Sequence, residues 1–370
     1  MLHLLKNALF IFIGILGIGI LIGFHELGHF IFCKIFSIST PSFSIGMGPQ
    51  LIKKKIGETT FSLSAIPLGG YVEIAGMSEV GQGEQKESGR KDKHSFASKP
   101  YYQKLLVLSG GIIFNLLFAY IIFIALFMFG IPKTPILFPE DVPAVIGSVQ
   151  PGSAAEKYHL KMNDKITAIN NQPINNVIEL NKRLQELPSQ NINLVVERDG
   201  QPVTLELVTD SRTANGKQVG VLGVSFHDTG ASKELPAESF IDSIKHGISA
   251  TNKCIHLTFV AFQSIFKQRT MDGLGGPLLV ISETIKGIKK GVKIFLIMLA
   301  FISINLAILN LIPVPIMDGG QILFTTLEAI FRKEIPENIK LIIHYICWLG
   351  VIFLAVYLSI YDIKKIFFGK

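Results

Sequence analysis

Apolar residues gather into four long runs, at positions 4–24, 105–129, 294–312 and 341–360. Each could cross a hydrocarbon core of roughly 30 Å, which takes about 20 residues of helix. Between the first two runs the pattern changes. Residues 42–76, SFSIGMGPQLIKKKIGETTFSLSAIPLGGYVEIAG, alternate apolar and polar positions in short pieces broken by Gly and Pro, as hairpin strands do. Residues 78–99 are polar and rich in Gly and Lys, which predicts a mobile loop. Residues 143–208 read as a small α/β domain. AVIGSVQ and INLVVERDG are expected as strands, SAAEKYHL and VIELNKRLQEL as helices, and NDKITAINNQPI as a strand pair with a turn. Residues 236–268 space their apolar positions helically, as in an element lying along a membrane surface.

The expected fold class is an α-helical polytopic membrane protein of about four transmembrane helices, with a membrane-associated β-hairpin region and an inserted α/β domain. In chain order this divides into a first transmembrane helix (1–36), the hairpin and a cytoplasmic loop (37–103), and a second transmembrane helix (104–130). The inserted domain follows (131–235), then amphipathic linker helices (236–293), a third transmembrane helix (294–320), and a loop with the fourth (321–370).

Composition agrees. Of 370 residues, 49% are apolar and only 17% charged, a membrane-protein balance. No small-residue cleavage pattern follows the first run, so it is read as retained rather than as a signal peptide. The net charge of +7 lies mainly beside apolar segments. That suits anionic lipid headgroups and argues against nucleic acid. Lysines and arginine between the first two runs place that stretch in the cytoplasm by the positive-inside rule. Lys286, Lys289, Lys290 and Lys293 crowd the opposite end of the third run and pull the other way. Three scattered cysteines, Cys33, Cys254 and Cys347, support neither a disulfide framework nor a Cys-based zinc site.

Ionisable residues are costly at membrane depth and mark function there. The stretch FHELGH puts His25 and His29 four residues apart, one helical turn above the other, where both can grip one metal ion. Glu26 beside them is placed as general base for water acidified by zinc. A catalytic zinc usually takes a third protein ligand. Asp318 in NLIPVPIMDGG could supply it, since Pro313 and Pro315 break the helix just before. An Asp-Gly after Pro is also an ordinary turn, so spacing leaves both readings open.

HELGH at the end of a first span and NLIPVPIMDGG at a later one resemble the site-2 protease family of intramembrane zinc metalloproteases. More narrowly, the chain is similar to the bacterial regulator of sigma-E protease type. The likeness extends through FSIGMGP, IPLGGYVEIAGM, SGGIIFN and GGPLLVISE, and makes the inserted domain PDZ-like. The resemblance implies His25, His29 and Asp318 as ligands of Zn2+, Glu26 as base, and a multi-pass protein of the bacterial inner membrane. It also implies single-span membrane proteins as substrates, with the PDZ-like domain contacting substrate or a regulator, or acting as a size filter. Ile112 departs from the family, which usually has Pro in a Gly-Pro-x-x-Asn motif, while Gly111 and Asn115 are kept. YHLKMNDKI departs from the usual PDZ loop, which puts peptide binding there in doubt.

Cleaving inside a membrane helix requires it unwound, and its freed amides then need partners. Residues 60–73 are the candidate sheet edge for strand addition. Asn310, in the motif Asn-x-x-Pro-x-Pro, resembles a residue that bonds substrate backbone. Asn115 and Asn305 are further candidates, with helix packing the alternative for each. A membrane scaffold with a structural metal site is the rival from another class, and Glu26 argues against it. A metal transporter would want several polar spans.

Overall fold

The computed structural model describes residues 2–77, 87, 89–134, 137–214, 217–226, 234–268 and 276–368. The chain forms two compact units, one of residues 1–128, 239–262 and 271–370, the other of residues 129–238 and 263–270.

The first unit opens with α1 (Leu2–Ile35), a single helix that runs beyond the apolar stretch and through HELGH. A hairpin follows, β1 (Ser42–Ile56) and β2 (Thr59–Val72). The register shows that both strands fold back on themselves. Ser42–Ile45 is paired on one side with Thr60–Leu63 and on the other with Gly70–Val72, while the lysine-rich end of β1 pairs back onto Thr59–Ser64. Phe43, Val72, Ile74, Phe96, Val107 and Cys33 form the core beneath it. The loop expected over 78–99 lies partly outside the described residues. Its described end is ordered by turns and a short 3-10 helix at Phe96–Ser98. Then comes α2 (Tyr101–Met128), a continuous helix in which Ile112 supplies the N–H that Pro lacks.

The second unit contains β3 (Ile131–Pro132), β4 (Ile146–Val149), α3 (Ala154–Lys157), β5 (Lys165–Ile169) and β6 (Gln172–Pro173). It continues with α4 (Val177–Gln185), β7 (Asn191–Arg198), β8 (Gln201–Val208), β9 (Asp210–Ala214), β10 (Lys217–Val221), β11 (Val224–Phe226) and β12 (Glu234–Leu235). Its largest sheet has the order β6-β5-β7-β8. In β7 the strand alternation turns Ile192, Leu194 and Val196 inward, onto Ile166, Leu180 and Leu207. Asn176 caps α4 by accepting from the Glu179 N–H at 2.9 Å. Asp164 is almost fully buried and takes both Arg198 Nε and Nη2, at 2.8 and 2.7 Å.

The first unit resumes with α5 (Phe240–Gln268), α6 (Pro277–Lys290), α7 (Val292–Leu311), α8 (Asp318–Phe331) and α9 (Glu337–Phe368). Among the described residues, four helices are long and apolar enough to cross a membrane: Lys6–Ile35, Tyr101–Met128, Val292–Leu311 and Asn338–Ile363. They leave Phe12, Leu16, Ile121, Leu349 and Phe353 exposed, a surface suited to lipid rather than water. The third span stops at Leu311, where Pro313 and Pro315 are expected to break it, so its helix ends before residue 320. What was expected as a loop after it is the separate helix α8. Cys33, Cys254 and Cys347 form no disulfide.

Candidate metal centre

His25 and His29 sit one above the other on α1, their ring centroids 4.9 Å apart. Asp318 reaches them from the first turn of α8, after the proline-broken segment has reversed the chain. His25 Nε2 lies 3.5 Å from Asp318 Oδ2, His29 Nε2 lies 3.5 Å from Oδ1, and the two Nε2 atoms are 3.3 Å apart. Bonds of about 2.0–2.1 Å to a tetrahedral zinc would set their donor atoms about 3.3–3.4 Å apart. Each histidine nitrogen faces a different carboxylate oxygen at close to that spacing, so the three side chains lie near the dimensions of a zinc site. Asp318 Oδ2 is buried with no hydrogen-bond partner. A buried carboxylate oxygen with nothing to accept is costly, and a cation satisfies it.

Neighbouring groups fix the two rings. His29 Nδ1 lies 2.8 Å from the Val107 carbonyl of α2. A carbonyl can only accept, so Nδ1 carries the proton and Nε2 keeps its lone pair for a metal. The Asn115 side-chain amide nitrogen lies 3.0 Å from His25 Nδ1, while Asn115 Oδ1 is buried without a partner. Turning the amide by 180° brings Oδ1 to His25 Nδ1. Oδ1 then accepts from Nδ1–H, and His25 Nε2 is freed as a ligand atom. Asn115 is thus a candidate orienting group, reached through His25 rather than through substrate.

Close helix approach makes this possible. A Cβ added at Gly110 would stand 2.6 Å from the Gly28 carbonyl, so α1 and α2 cross with no side chain between them. Gly111 lies directly under the ligands: a Cβ there would be 2.5 Å from His29 Nε2.

His25, Glu26, His29, Val72, Ile74, Asn310, Ile316, Met317, Asp318, Gln321 and His344 line one cavity of about 190 Å³. Asn310 Nδ2 lies 3.5 Å from His25 Nε2, at the limit of a hydrogen bond. Asn305 is half-buried on α7 and is not among the lining residues. The candidate edge over 60–73 needs correction. Residues 60–63 are flanked on both sides by β1 and form no edge. The edge is Gly70–Val72. Glu73 N–H donates to Ser42 O at 2.9 Å, which makes Val72 and Phe43 a pair that exchanges no hydrogen bond. Val72 therefore turns its N–H and C=O away from β1. Gln321 and His344 were not singled out from the sequence. The available signal was a histidine in the otherwise apolar fourth span.

The family model for peptidase family M50 matches residues 13–355. A candidate zinc metalloprotease of Fusobacterium nucleatum is 31% identical over 357 residues, covering 96% of this chain and 98% of that protein. One of Campylobacter jejuni is 30% identical over 360 residues, covering 95% and 92%. The zinc metalloprotease RasP of Geobacillus kaustophilus is 26% identical over 420 residues, covering 94% and 96%. With a His-His-Asp cluster of zinc dimensions and a matched region that spans nearly the whole sequence, the chain belongs to peptidase family M50, the site-2 protease family of zinc metalloproteases.

Proposed function

We propose that this metalloprotease cleaves a peptide bond in or near the transmembrane segment of single-span membrane proteins, in a bacterial inner membrane. Anti-sigma factors and signal-peptide remnants are the substrate types that fit. The observation that carries the reading is the convergence of His25, His29, Asp318 and Glu26 on one cavity, beside a helix long enough to span a bilayer. Zinc, when bound by those three ligands, supplies Lewis acidity toward water and the scissile carbonyl. Glu26 takes the proton released by the attacking water and passes it to the leaving amine. The ring orientations held by Val107 and Asn115 keep both Nε2 atoms available. Asn310 donates its amide to the substrate carbonyl, and the outward N–H and C=O of Val72 bind an unwound substrate strand. The second unit acts as a PDZ-like domain that admits or excludes substrates by size or by contact.

Glu26→Gln tests the proton step, because it keeps all three ligands and removes only the base. Zinc content should stay at the wild-type level while cleavage of a reporter membrane helix falls by at least about 100-fold. Wild-type turnover in that variant would sink the mechanism.

A further inference from the structure

A chain of hydrogen bonds runs from the fourth span into the cavity and determines the orientation of one side chain there. His344 Nδ1 lies 2.8 Å from the Lys340 carbonyl on α9. That carbonyl can only accept, so Nδ1 bears the proton and Nε2 of the neutral ring is an acceptor. Gln321 Nε2 stands 2.6 Å from His344 Nε2 and 3.2 Å from the Pro315 carbonyl. Pro315 O also can only accept, which fixes the amide nitrogen of Gln321 as the atom facing it. Both N–H groups of that amide are then used, one toward Pro315 and one toward His344. Its remaining function is Oε1, and among the described residues nothing donates to it.

Gln321 begins the turn after Asp318, and both it and His344 line the cavity that holds the candidate metal centre. Val72, with its outward N–H and C=O, lines the same cavity. An extended peptide directs successive N–H groups to opposite sides. If Val72 serves one side, the N–H on the other needs an acceptor in a place poor in water, where an unpaired amide is expensive.

We propose that Gln321, oriented by His344, is a substrate-binding residue. Its Oε1 accepts a main-chain N–H of the unwound substrate on the side away from the β2 edge. The ligand is a peptide backbone rather than a side chain, so the contact tolerates varied sequences and rewards an extended conformation. His344 is the positioning residue. It holds the Gln321 amide in one of its two orientations and ties that orientation to the position of α9. This inference rests on the proteolytic function proposed above.

The test uses the full-length protein and a synthetic transmembrane peptide substrate. One backbone amide at a time across the cleavage region is replaced by an ester, which deletes a single N–H. In the wild type, the ester at one position should raise KM by about 3–10-fold, the worth of one uncharged hydrogen bond. In Gln321→Leu the all-amide peptide should already show that rise, and the same ester should add nothing further. His344→Leu should remove most of the ester's effect, and His344→Gln should restore it, because an amide oxygen can again accept from Gln321. Zinc content should match the wild type throughout. Ester penalties identical in wild type, Gln321→Leu and His344→Leu at every position would overturn the proposal. Should Gln321→Leu lose its zinc, the His344 pair alone decides, since those substitutions lie on another helix. Failure of the function itself would look different: the all-amide peptide would stay intact in wild type, or be cleaved equally by Glu26→Gln.

Discussion

Adding one methyl group at Gly111 should disable the metal centre while leaving the fold in place. A Cβ there would lie 2.5 Å from His29 Nε2 and 2.6 Å from His25 Nδ1. Non-bonded heavy atoms rest about 3.5–4.0 Å apart, so both rings must withdraw by about 1 Å. Zinc sites hold ligand distances to within about 0.2 Å, and donor spacings of 3.3–3.5 Å leave no slack of that size. Overpacking of this kind costs about 1–3 kcal/mol. Helix propensity works the other way, since Ala is favoured over Gly in a helix by about 0.5–1 kcal/mol. Any loss therefore comes from the contact. Gly111→Ala should weaken zinc binding by about 10–100-fold, as disturbed ligand orientation does elsewhere. Turnover should fall by about 100-fold at limiting zinc. The assay is chelator competition for zinc, paired with cleavage of a reporter membrane helix at limiting and excess zinc. Excess metal should recover part of the activity. Gly350→Ala on α9 is the control, because no atom lies within 4 Å of its would-be Cβ. Full zinc affinity and full turnover in Gly111→Ala would refute the packing argument.

Other outcomes follow from the same structure. Asp318→Asn should lower zinc retention and activity together, since a neutral amide is a poorer ligand than a carboxylate; a variant with full zinc and activity would move the third ligand elsewhere. Val72→Pro removes an N–H that faces away from β1, so it should abolish cleavage with zinc retained. Ser62→Pro, placed between two strands, should instead destabilise the hairpin, which limited proteolysis would detect. In the second unit, burial pulls the Asp164 carboxyl up, but the bidentate Arg198 and the Lys161 N–H more than offset it, leaving it below the ordinary carboxylate value. A lowered folded value means this stabilisation is fully present above the unfolded value of about 3.9 and is lost as pH falls through the folded one. Protection factors in β5 and β7, taken relative to the intrinsic exchange rate at each pH, should therefore fall as the pH drops below about 4. Arg198→Ala should make the same strands exchange faster even at neutral pH, at a cost of about 3 kcal/mol for a buried carboxylate left without its cation.

Much was legible in the sequence because its signals are local. Hydropathy located four long apolar helices, the last three within four residues at each end while the first runs on past position 24 to Ile35, since length and apolar composition alone decide whether a helix can cross a bilayer. The four-residue spacing of His25 and His29 needed only the helical period. Glu26 followed from the motif. Four matters were decided by the tertiary structure. The prolines marked the break before Asp318, but not that a separate helix begins at Asp318 itself. Which stretch of residues 60–73 forms the edge could not be read from alternation, because alternation marks faces and says nothing of which side of a strand is already paired. Gly111 was a known motif position, but its purpose, room for two imidazole rings, appears only where α2 crosses α1. The Lys340–His344–Gln321–Pro315 chain joins residues on α8, α9 and the segment before α8. Hydrogen-bond direction there is set by which atoms meet, and tertiary packing alone brings them together.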